Sequence, residues 1–375
     1  MTVLADAATQ IFLSDNVSPK PAAIANPNSG SYSRRDLYEE RQTPESGIGA
    51  FATALIPLGT RLFCEESIIL LPDDAGHVEL YAAVKKLGKE EQELFWGLAA
   101  STKAGKDVEW IDILRRECDE DISSTFNDLV EAHEHAWSIY ETNRFTCKSL
   151  DGQSKSLGIF PHSARLNHSC SPNVFHRYNP VINRLTIHAL RDINIGEELL
   201  TSYIDICHPT VVRRQYLKHW GFRCRCSACD SPDDDEDYRR KRIEDLFVKL
   251  GKREIKMVKN ERNWPVKEYE RSLAIVVKCI KLLEKEGMEE TDTLGVVYAA
   301  GVKLALQIRD KGENGDRGGD IVDMSEEGVE DAVRWAERVV EIQRKCLGED
   351  SKEFVAAGAL LEMARRGRVC RAERS

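Results

Sequence analysis

The run Phe222-Arg-Cys-Arg-Cys-Ser-Ala-Cys229 places Cys224, Cys226 and Cys229 within six residues. Three thiols this close along a chain cannot all pair with one another as disulfides. They can face one Zn²⁺ ion, which prefers four soft ligands in a tetrahedron. Buried free thiols are the alternative interpretation, but this clustering disfavours it. The motif predicts a structural zinc site that needs one more ligand.

The fourth ligand must come from elsewhere in the chain. Cys170 is the best candidate and lies in Arg165-Leu-Asn-His-Ser-Cys-Ser-Pro-Asn173; Cys207 and His208 are the nearest alternatives. If Cys170 binds the same ion, the metal ties a late segment of the chain to a motif more than fifty residues earlier. That tie would hold the late segment against Asn167 and His168.

Composition narrows the class of protein. The chain has 375 residues, 42% of them hydrophobic, and a net charge of −10, which indicates two or three domains with substantial cores. This charge argues against direct nucleic-acid binding by general phosphate attraction and suits a basic partner such as a lysine-rich tail. We expect a monomer.

The chain shows no feature of a secreted or membrane protein. It has no apolar run long enough to cross a bilayer and no signal-peptide pattern at the start. Seven of the eleven cysteines are scattered without a pairing pattern, as expected of buried thiols in a reducing compartment. We therefore expect an intracellular protein, in the nucleus, the cytoplasm or both, with no membrane contact.

The pattern of residues divides the chain into four parts. Residues 1–34 are rich in Ala, Ser, Pro and Asn and are predicted to be disordered. Residues 35–206 alternate strand-like runs and turns, with a predicted hairpin around Asn179-Pro180, and are interrupted by helical spacing over about 73–140. The cysteine segment spans 207–232, and 233–375 is helical almost throughout, with a weak internal echo between Ala299-Ala-Gly-Val and Ala356-Ala-Gly-Ala. That echo suggests stacked helical hairpins of the tetratricopeptide (TPR-like) kind.

Four motifs occur in a fixed order: Gly47-Ile-Gly49, Asn167-His-Ser-Cys-Ser-Pro-Asn173, Gly196-Glu-Glu-Leu-Leu-Thr-Ser-Tyr203, and the cysteine run. This set resembles SET-domain protein lysine methyltransferases with a post-SET zinc segment, over roughly 38–230. The helical insertion and tail look most like the SMYD branch and its fungal relatives. Unlike many members of that branch, this chain shows no MYND zinc-finger cluster, since Cys118 is the only cysteine between 71 and 137.

The resemblance implies an α+β fold: a SET-type β-fold of short sheets with a helical insertion, a zinc-stapled post-SET segment and an α-helical, TPR-like C-terminal domain. It implies S-adenosylmethionine as cofactor and structural zinc, with Cys170 favoured as the fourth ligand. The implied function is methylation of lysine side chains on proteins, with histone tails as candidate substrates. The alternative is a catalytically inactive SET scaffold that acts as a protein-interaction module. A zinc-binding transcription factor is a poor interpretation, because the chain offers no basic reading helix.

The resemblance also assigns roles around the cofactor. Gly47, Ile48 and Gly49 would lie against its methionine part, although Gly-x-Gly by itself is more often an ordinary turn. Asn167 and His168 would hold its adenine and amino groups, and a histidine backbone and ring could clasp an adenine edge. A lone Asn-His pair is more often structural, but within this motif the functional interpretation is favoured.

Three aromatic or amide residues complete the predicted site. Tyr203 is the predicted catalytic residue, aligning the lysine nitrogen with the sulfonium methyl and also contacting the cofactor. Asn143 would bond the cofactor, with a helix C-cap as an equal alternative. Phe222 would stack on adenine, with a core anchor as an equal alternative. Tyr178 and Trp220 could be aromatic walls, but core packing is favoured.

A basic run after the cysteine segment, Arg239-Arg-Lys-Arg242, allows two interpretations. It could be a nuclear import signal. A solvated helix face that follows an acidic hinge is the favoured alternative.

Overall fold

The computed structural model describes residues 32–43, 47–100, 109–117, 123–230, 234–259, 264–313 and 326–372. Most of the predicted disordered tail lies outside these ranges, as does Cys118. Tyr32 and Ser33, which fall within the predicted tail, form a short strand paired with Phe63 and Cys64. Ordered structure therefore begins before residue 34.

The described residues contain eleven short strands, which build the β part of the molecule. They are β1 (Tyr32–Ser33), β2 (Tyr38–Thr43), β3 (Gly47–Ala52), β4 (Arg61–Glu65), β5 (Ile69–Pro72), β6 (Arg144–Lys148), β7 (Lys155–Ile159), β8 (Asn167–His168), β9 (Val174–Asn179), β10 (Arg184–Ala189) and β11 (Leu200–Thr201). They form a four-stranded sheet in the order β1-β4-β10-β9, a three-stranded sheet in the order β5-β7-β6, and the pairs β2–β3 and β8–β11.

The predicted hairpin around Asn179-Pro180 is present. Strands β9 and β10 pair antiparallel, with Asn179 opposite Arg184 and Val174 opposite Ala189. The tight connection places Asn183 at a φ of 52°, a conformation that asparagine tolerates better than most residues. This hairpin forms one side of the four-stranded sheet.

A helical segment separates β5 from β6, as the apolar spacing predicts. Its helices are α1 (His77–Lys86), α2 (Lys89–Trp96), α3 (Glu109–Glu117) and α4 (Ser123–Asn143). Leu80, Phe95 and Ile139 pack in one core with Ile69 and Ile159 of the three-stranded sheet. The insertion is therefore fixed to the sheet that leads into the Asn167 segment.

Helices also follow the last strand. They are α5 (Thr210–Leu217), α6 (Ser227–Asp230), α7 (Asp234–Lys259), α8 (Val266–Lys285), α9 (Asp292–Glu313), α10 (Glu326–Leu347) and α11 (Lys352–Ala372). From α7 to α11, each helix packs on the next in chain order, as expected of stacked hairpins. No helix in the described part of the chain has the length and apolar character needed to span a membrane.

The two small-residue segments that echo each other differ in their surroundings. A Cβ on Gly301 of α9 would lie 3.0 Å from the Trp335 ring, whereas a Cβ on Gly358 of α11 would meet nothing within 4 Å. Close helix contact explains the first glycine but not the second. The internal echo therefore reflects packing in one of its two copies.

The helical region is fastened to the four-stranded sheet by buried charges. Arg61 of β4 donates from Nη2 and Nη1 to the Asp350 carboxylate, at 2.5 and 2.8 Å, and Arg177 of β9 pairs with Asp292 at the start of α9. The side chain of Asp350 is 5% exposed, so removal of one partner would leave an uncompensated buried charge. These pairs hold the helices in one position against the four-stranded sheet.

Candidate active site and metal centre

One group of side chains among the described residues could hold a metal ion: Cys170, Cys224, Cys226 and Cys229. Their sulfur atoms all lie within 4.8 Å of one another, and Cys170 Sγ is 3.6 Å from Cys229 Sγ. Tetrahedral Zn–S bonds of about 2.3 Å require sulfurs separated by about 3.8 Å. The four cysteines fit a zinc ion in both ligand chemistry and spacing.

The alternative fourth ligands face elsewhere. The Cys207 thiol contacts Met288 Sδ at 4.0 Å, and His208 Nδ1 lies 3.1 Å from Glu244 Oε1. Neither belongs to the sulfur cluster. The structure therefore brings Cys170, the candidate favoured from the sequence, to the three closely spaced cysteines.

The backbone of the cysteine segment is shaped for a metal site. Gly221 turns the chain at a φ of +78° after the 3-10 turn that ends α5. The amide of Cys226 then points at Cys224 Sγ at 3.5 Å, and Cys229 N donates to Cys226 O at 2.8 Å. These local turns aim three sulfur atoms at one point.

A fully buried guanidinium beside the cysteine cluster is a second observation that supports the metal assignment. The side chain of Arg213 on α5 is 0% exposed, and its Nη2 lies 3.8 Å from Cys229 Sγ. Its nearest carboxylate oxygen, on Asp237, is 3.9 Å away. A buried cation needs nearby negative charge, and four thiolates around one Zn²⁺ carry a net charge of −2. Sequence reasoning missed Arg213, because nothing in its local pattern marks it as buried.

Asn167 is held by a residue that sequence reasoning did not single out. Its Nδ2 donates to Glu198 Oε1 at 2.7 Å and reaches Ile48 O at 3.5 Å. A Cβ on Gly49 would clash with the Glu198 carboxylate and would lie 2.9 Å from Asn167 Nδ2. Gly49 is therefore required by close approach, and Glu198 connects the Gly47–Gly49 strand to Asn167. The sequence signal for Glu198 is its place in the Gly196-Glu-Glu198 run that precedes Tyr203.

His168 is oriented by contacts at both ring nitrogens. Strand β8 pairs parallel with β11, with His168 opposite Thr201. Nδ1 accepts the Tyr203 backbone N–H at 3.0 Å, and Nε2 lies 3.3 Å from Cys170 Sγ. The sequence suggested that the ring could contact an adenine edge. Both ring nitrogens already have partners within the protein, so the ring offers no free nitrogen for that contact. The backbone of His168 remains for that role.

Tyr203 lies among aromatic rings beside the cysteine cluster. Its hydroxyl donates to Leu166 O at 2.8 Å, and its ring centroid is 5.2 Å from that of Trp220 and 6.3 Å from that of Phe222. Burial raises the pKa of the Tyr203 phenol well above its usual value. The phenol is thus protonated at neutral pH and can align groups but not act as a base.

The two other predicted aromatic residues occupy different settings. Phe222 is 37% exposed and lies 6.1 Å from the His168 ring, so part of its surface is available for stacking. Trp220 donates from Nε1 to Thr142 O at 3.0 Å and packs on Tyr203, which places it in the wall of this site. Tyr178 packs against Phe160 instead.

Asn143 ends α4 with its amide already engaged. Nδ2 donates to Ile139 O and Ala99 O, both at 2.7 Å. These bonds match the helix-capping interpretation that the sequence left open. A cofactor contact by Asn143 stays a prediction, and the neighbouring Thr142 carbonyl connects it to Trp220.

The basic run on α7 is only in part the solvated face that the sequence favoured, since Lys241 and Arg242 are exposed. Arg239 and Arg240 both pair with Glu286, whose side chain is 1% exposed. Arg240 Nη1 also donates to Ile206 O at 2.9 Å and to Cys170 O at 3.4 Å. Half of the run therefore ties the helical region to the segment that carries Cys170, so Arg239 and Arg240 are not free for an import receptor.

Comparison with known families agrees with this geometry. Residues 47–204 match the family model described as SET domain, so this part of the chain is a SET domain. The matched range contains Gly47, Gly49, Asn167, His168 and Tyr203, and the cysteine segment follows it.

The individual relatives that match this chain are named as protein lysine methyltransferases. "Histone-lysine N-methyltransferase set5" of Schizosaccharomyces pombe is 33% identical over 213 residues, 56% of this chain and 54% of that protein. "N-lysine methyltransferase SMYD2-B" of Danio rerio is 38% identical over 129 residues, 34% of this chain and 29% of that protein. The chain thus spans about half or less of the length of these relatives. The match to SMYD2-B supports the predicted SMYD-like branch. The absence of a MYND finger stays a prediction.

A solved structure, "Crystal structure of the SET domain of LSMT bound to Lysine and AdoHcy", aligns with 98% of this chain and 92% of its own. The TM-score is 0.34 at 10% sequence identity. A likeness of this strength carries no argument about the site.

Proposed function

We propose that this protein transfers a methyl group from S-adenosylmethionine to the Nε atom of lysine in a protein substrate. The observation that carries the proposal is the convergence of the Gly47–Gly49 strand, Asn167 and Tyr203, joined through Glu198 and Leu166. The SET-domain match over the same residues and the names of the relatives support it.

The chemistry sets two requirements. A lysine amine is nucleophilic only when neutral, yet its ordinary pKa is about 10.4. An apolar channel lined by Tyr203 and Trp220 would lower that pKa, as would a nearby sulfonium cation. The amine must also approach the methyl carbon in line with the departing sulfur, so positioning supplies much of the rate.

Named residues are assigned to these tasks. The Tyr203 hydroxyl aligns the amine, and its raised pKa keeps it in the hydrogen-bonding, uncharged form. Asn167 and the His168 backbone hold the cofactor, the Gly47–Gly49 backbone approaches it closely, and the exposed face of Phe222 stacks on adenine. Asn143 is proposed to contact the cofactor through the atoms that its capping bonds leave available.

Zinc has a structural role in this proposal. Bound by Cys170, Cys224, Cys226 and Cys229, the ion would tie the post-SET segment to the Asn167–Cys170 loop. The protein residues then keep Phe222 over the cofactor site and shield it from water. The bond-making step uses no metal.

The substrate is proposed to be a basic protein segment such as a histone tail. The chain carries 63 acidic against 53 basic residues, which favours a cationic partner, and two relatives are named for histone lysine. We propose a monomer in the nucleus, the cytoplasm or both, without direct contact to nucleic acid or membrane.

The test is a methyl-transfer assay with radiolabelled S-adenosylmethionine, on core histones and on a cell extract, with mass spectrometry of labelled bands. Calorimetry measures cofactor binding in parallel. Label on lysine supports the proposal. Tight cofactor binding without transfer to any protein would favour the inactive scaffold, and the absence of both would reject a methyltransferase site.

A further inference from the structure

The His168 ring is hydrogen-bonded at both ends, to two parts of the molecule with different roles. Nδ1 accepts the backbone N–H of Tyr203 at 3.0 Å. Nε2 lies 3.3 Å from Cys170 Sγ. The residue is 9% exposed, so water does not substitute freely for either partner.

The bond at Nδ1 decides where the ring proton sits. A backbone N–H can only donate, so Nδ1 must be the unprotonated nitrogen. A neutral imidazole then carries its hydrogen on Nε2. That N–H points at Cys170, and a metal-bound cysteine is a thiolate, which accepts a hydrogen bond more strongly than a thiol does.

The segment from Leu166 to Cys170 therefore holds Tyr203 at two points and would hold the metal at a third, through Cys170. Leu166 O accepts the Tyr203 hydroxyl at 2.8 Å, while the His168 ring fixes the Tyr203 backbone amide. Cys170 supplies the sulfur to which the same ring is bonded. Tyr203 also packs against the core formed by Cys170, Leu217 and Cys229.

We propose that His168 is a positioning residue whose side chain couples the metal site to Tyr203, with Nε2–H bonded to the Cys170 thiolate and Nδ1 bonded to the Tyr203 amide. This inference rests on the proposed function only in its effect on turnover. Its structural part concerns the ring, the cysteine and the metal, and can be tested without a substrate.

Two substitutions separate the ends of the ring. His168→Asn places an amide group near the position of Nδ1 and can keep the acceptor for the Tyr203 amide, but it does not reach Cys170. His168→Gln places an amide near the position of Nε2 and can keep a donor to Cys170, but it lacks the Nδ1 acceptor. Both leave the His168 backbone for the cofactor.

The test compares three properties of each variant with wild type: the rate of metal release to a colorimetric chelator, the cofactor affinity by calorimetry, and kcat and KM for methyl transfer. We expect His168→Asn to release zinc about 10-fold faster than wild type, as is usual when an outer hydrogen bond to a metal ligand is lost. His168→Gln should release zinc close to the wild-type rate yet lower kcat about 10-fold, with little change in cofactor affinity or KM. Wild-type zinc release from His168→Asn, or wild-type kcat in His168→Gln, would overturn the coupling.

The wild-type protein provides a test that requires no variant. In ¹⁵N-histidine NMR of the zinc-loaded protein, the His168 ring should show its hydrogen on Nε2, and in ¹¹³Cd-substituted protein that hydrogen should couple to the metal nucleus across the sulfur. A hydrogen on Nδ1 would refute the inference. If no substrate is methylated, the proposed function fails, while the NMR and metal-release results still decide the arrangement of His168.

Discussion

The guanidinium of Arg213 lies against the sulfur of Cys229, with Nη2 3.8 Å from Sγ, at a site closed to solvent. The same guanidinium donates to His208 O at 2.6 Å and to Ala228 O at 2.8 Å. It therefore supplies positive charge to the thiolate cluster and also satisfies two carbonyls of the segment around it. Negative charge on the cysteine thiolates around a metal ion would compensate this buried positive charge.

Arg213→Met should remove this charge while keeping much of the side-chain volume. We expect a loss of about 3 to 5 kcal/mol in the free energy of unfolding, typical when one partner of a buried charge pair is deleted, and weaker zinc retention. Urea unfolding and elemental analysis measure both effects. The matched control is Arg223→Met, because Arg223 is exposed and lies in the same segment; equal losses in the two variants would contradict the assignment.

Cys226→Ser should abolish stoichiometric zinc and loosen the segment after Trp220. An oxygen ligand replaces one of four soft sulfurs, and structural zinc contributes directly to folding energy. Metal content by elemental analysis and proteolysis near Gly221 report the change. Cys279→Ala, which alters a buried cysteine of the helical core, should keep its zinc; full metal content in Cys226→Ser would remove Cys226 from the ligand set.

Tyr203→Phe should leave folding and cofactor binding largely intact and lower turnover on the order of 100-fold, since small misplacements of reacting groups have effects of this size. The measurement is kcat with labelled cofactor, alongside calorimetry. Tyr140→Phe is the control, because the Tyr140 hydroxyl also donates to a backbone carbonyl, that of Leu157 at 3.3 Å, but lies in the insertion core. Unchanged turnover in Tyr203→Phe would withdraw its catalytic assignment.

Gly49→Ala should weaken cofactor binding, because its Cβ displaces the Glu198 carboxylate and the Asn167 amide. Gly47→Ala tests a different constraint: its surroundings are open, but its φ of +75° costs a side-chain residue about 1 to 2 kcal/mol. Calorimetric affinity and thermal unfolding separate the two effects. The control is Gly251→Ala, which lies in open space on helix α7 and should raise the free energy of unfolding by about 0.5 to 1 kcal/mol. Wild-type cofactor affinity in Gly49→Ala would contradict the predicted close approach.

Glu254 should make stability fall as pH rises. Burial raises the pKa of its carboxyl to about 8, opposed by the charge of Lys303. Between the ordinary carboxyl pKa near 4.5 and about 8, the folded state keeps a proton that the unfolded state has lost, so the free energy of unfolding decreases through this range.

Glu254→Gln should flatten that dependence, because a neutral amide replaces the buried acid. Each unit of pKa difference corresponds to about 1.4 kcal/mol, so the variant should gain stability relative to wild type at pH 8 but not at pH 5. Urea unfolding at the two pH values measures this. Glu362→Gln makes the same change at an exposed position; parallel pH profiles for wild type and Glu254→Gln would show that Glu254 is not the titrating group.

Residue type and local spacing determined much of the site in advance. Three cysteines within six residues can converge on one ion because the local backbone alone brings them together, and the order of motifs indicated a SET domain with a helical insertion and tail. The helical periodicity and the Asn179-Pro180 hairpin were predicted for the same reason: their contacts lie within a few residues along the chain.

Only the tertiary structure decided which long-range partners satisfy buried polar groups. The pairing of Arg239 and Arg240 with Glu286, the hydrogen bond from Asn167 to Glu198, and the burial of Arg213 join residues that are distant in sequence. The same is true of the His168 ring, whose direction follows from the positions of Cys170 and Tyr203 after folding. A buried charge or ring nitrogen must find a partner wherever packing places one, and no local pattern in the sequence specifies that place.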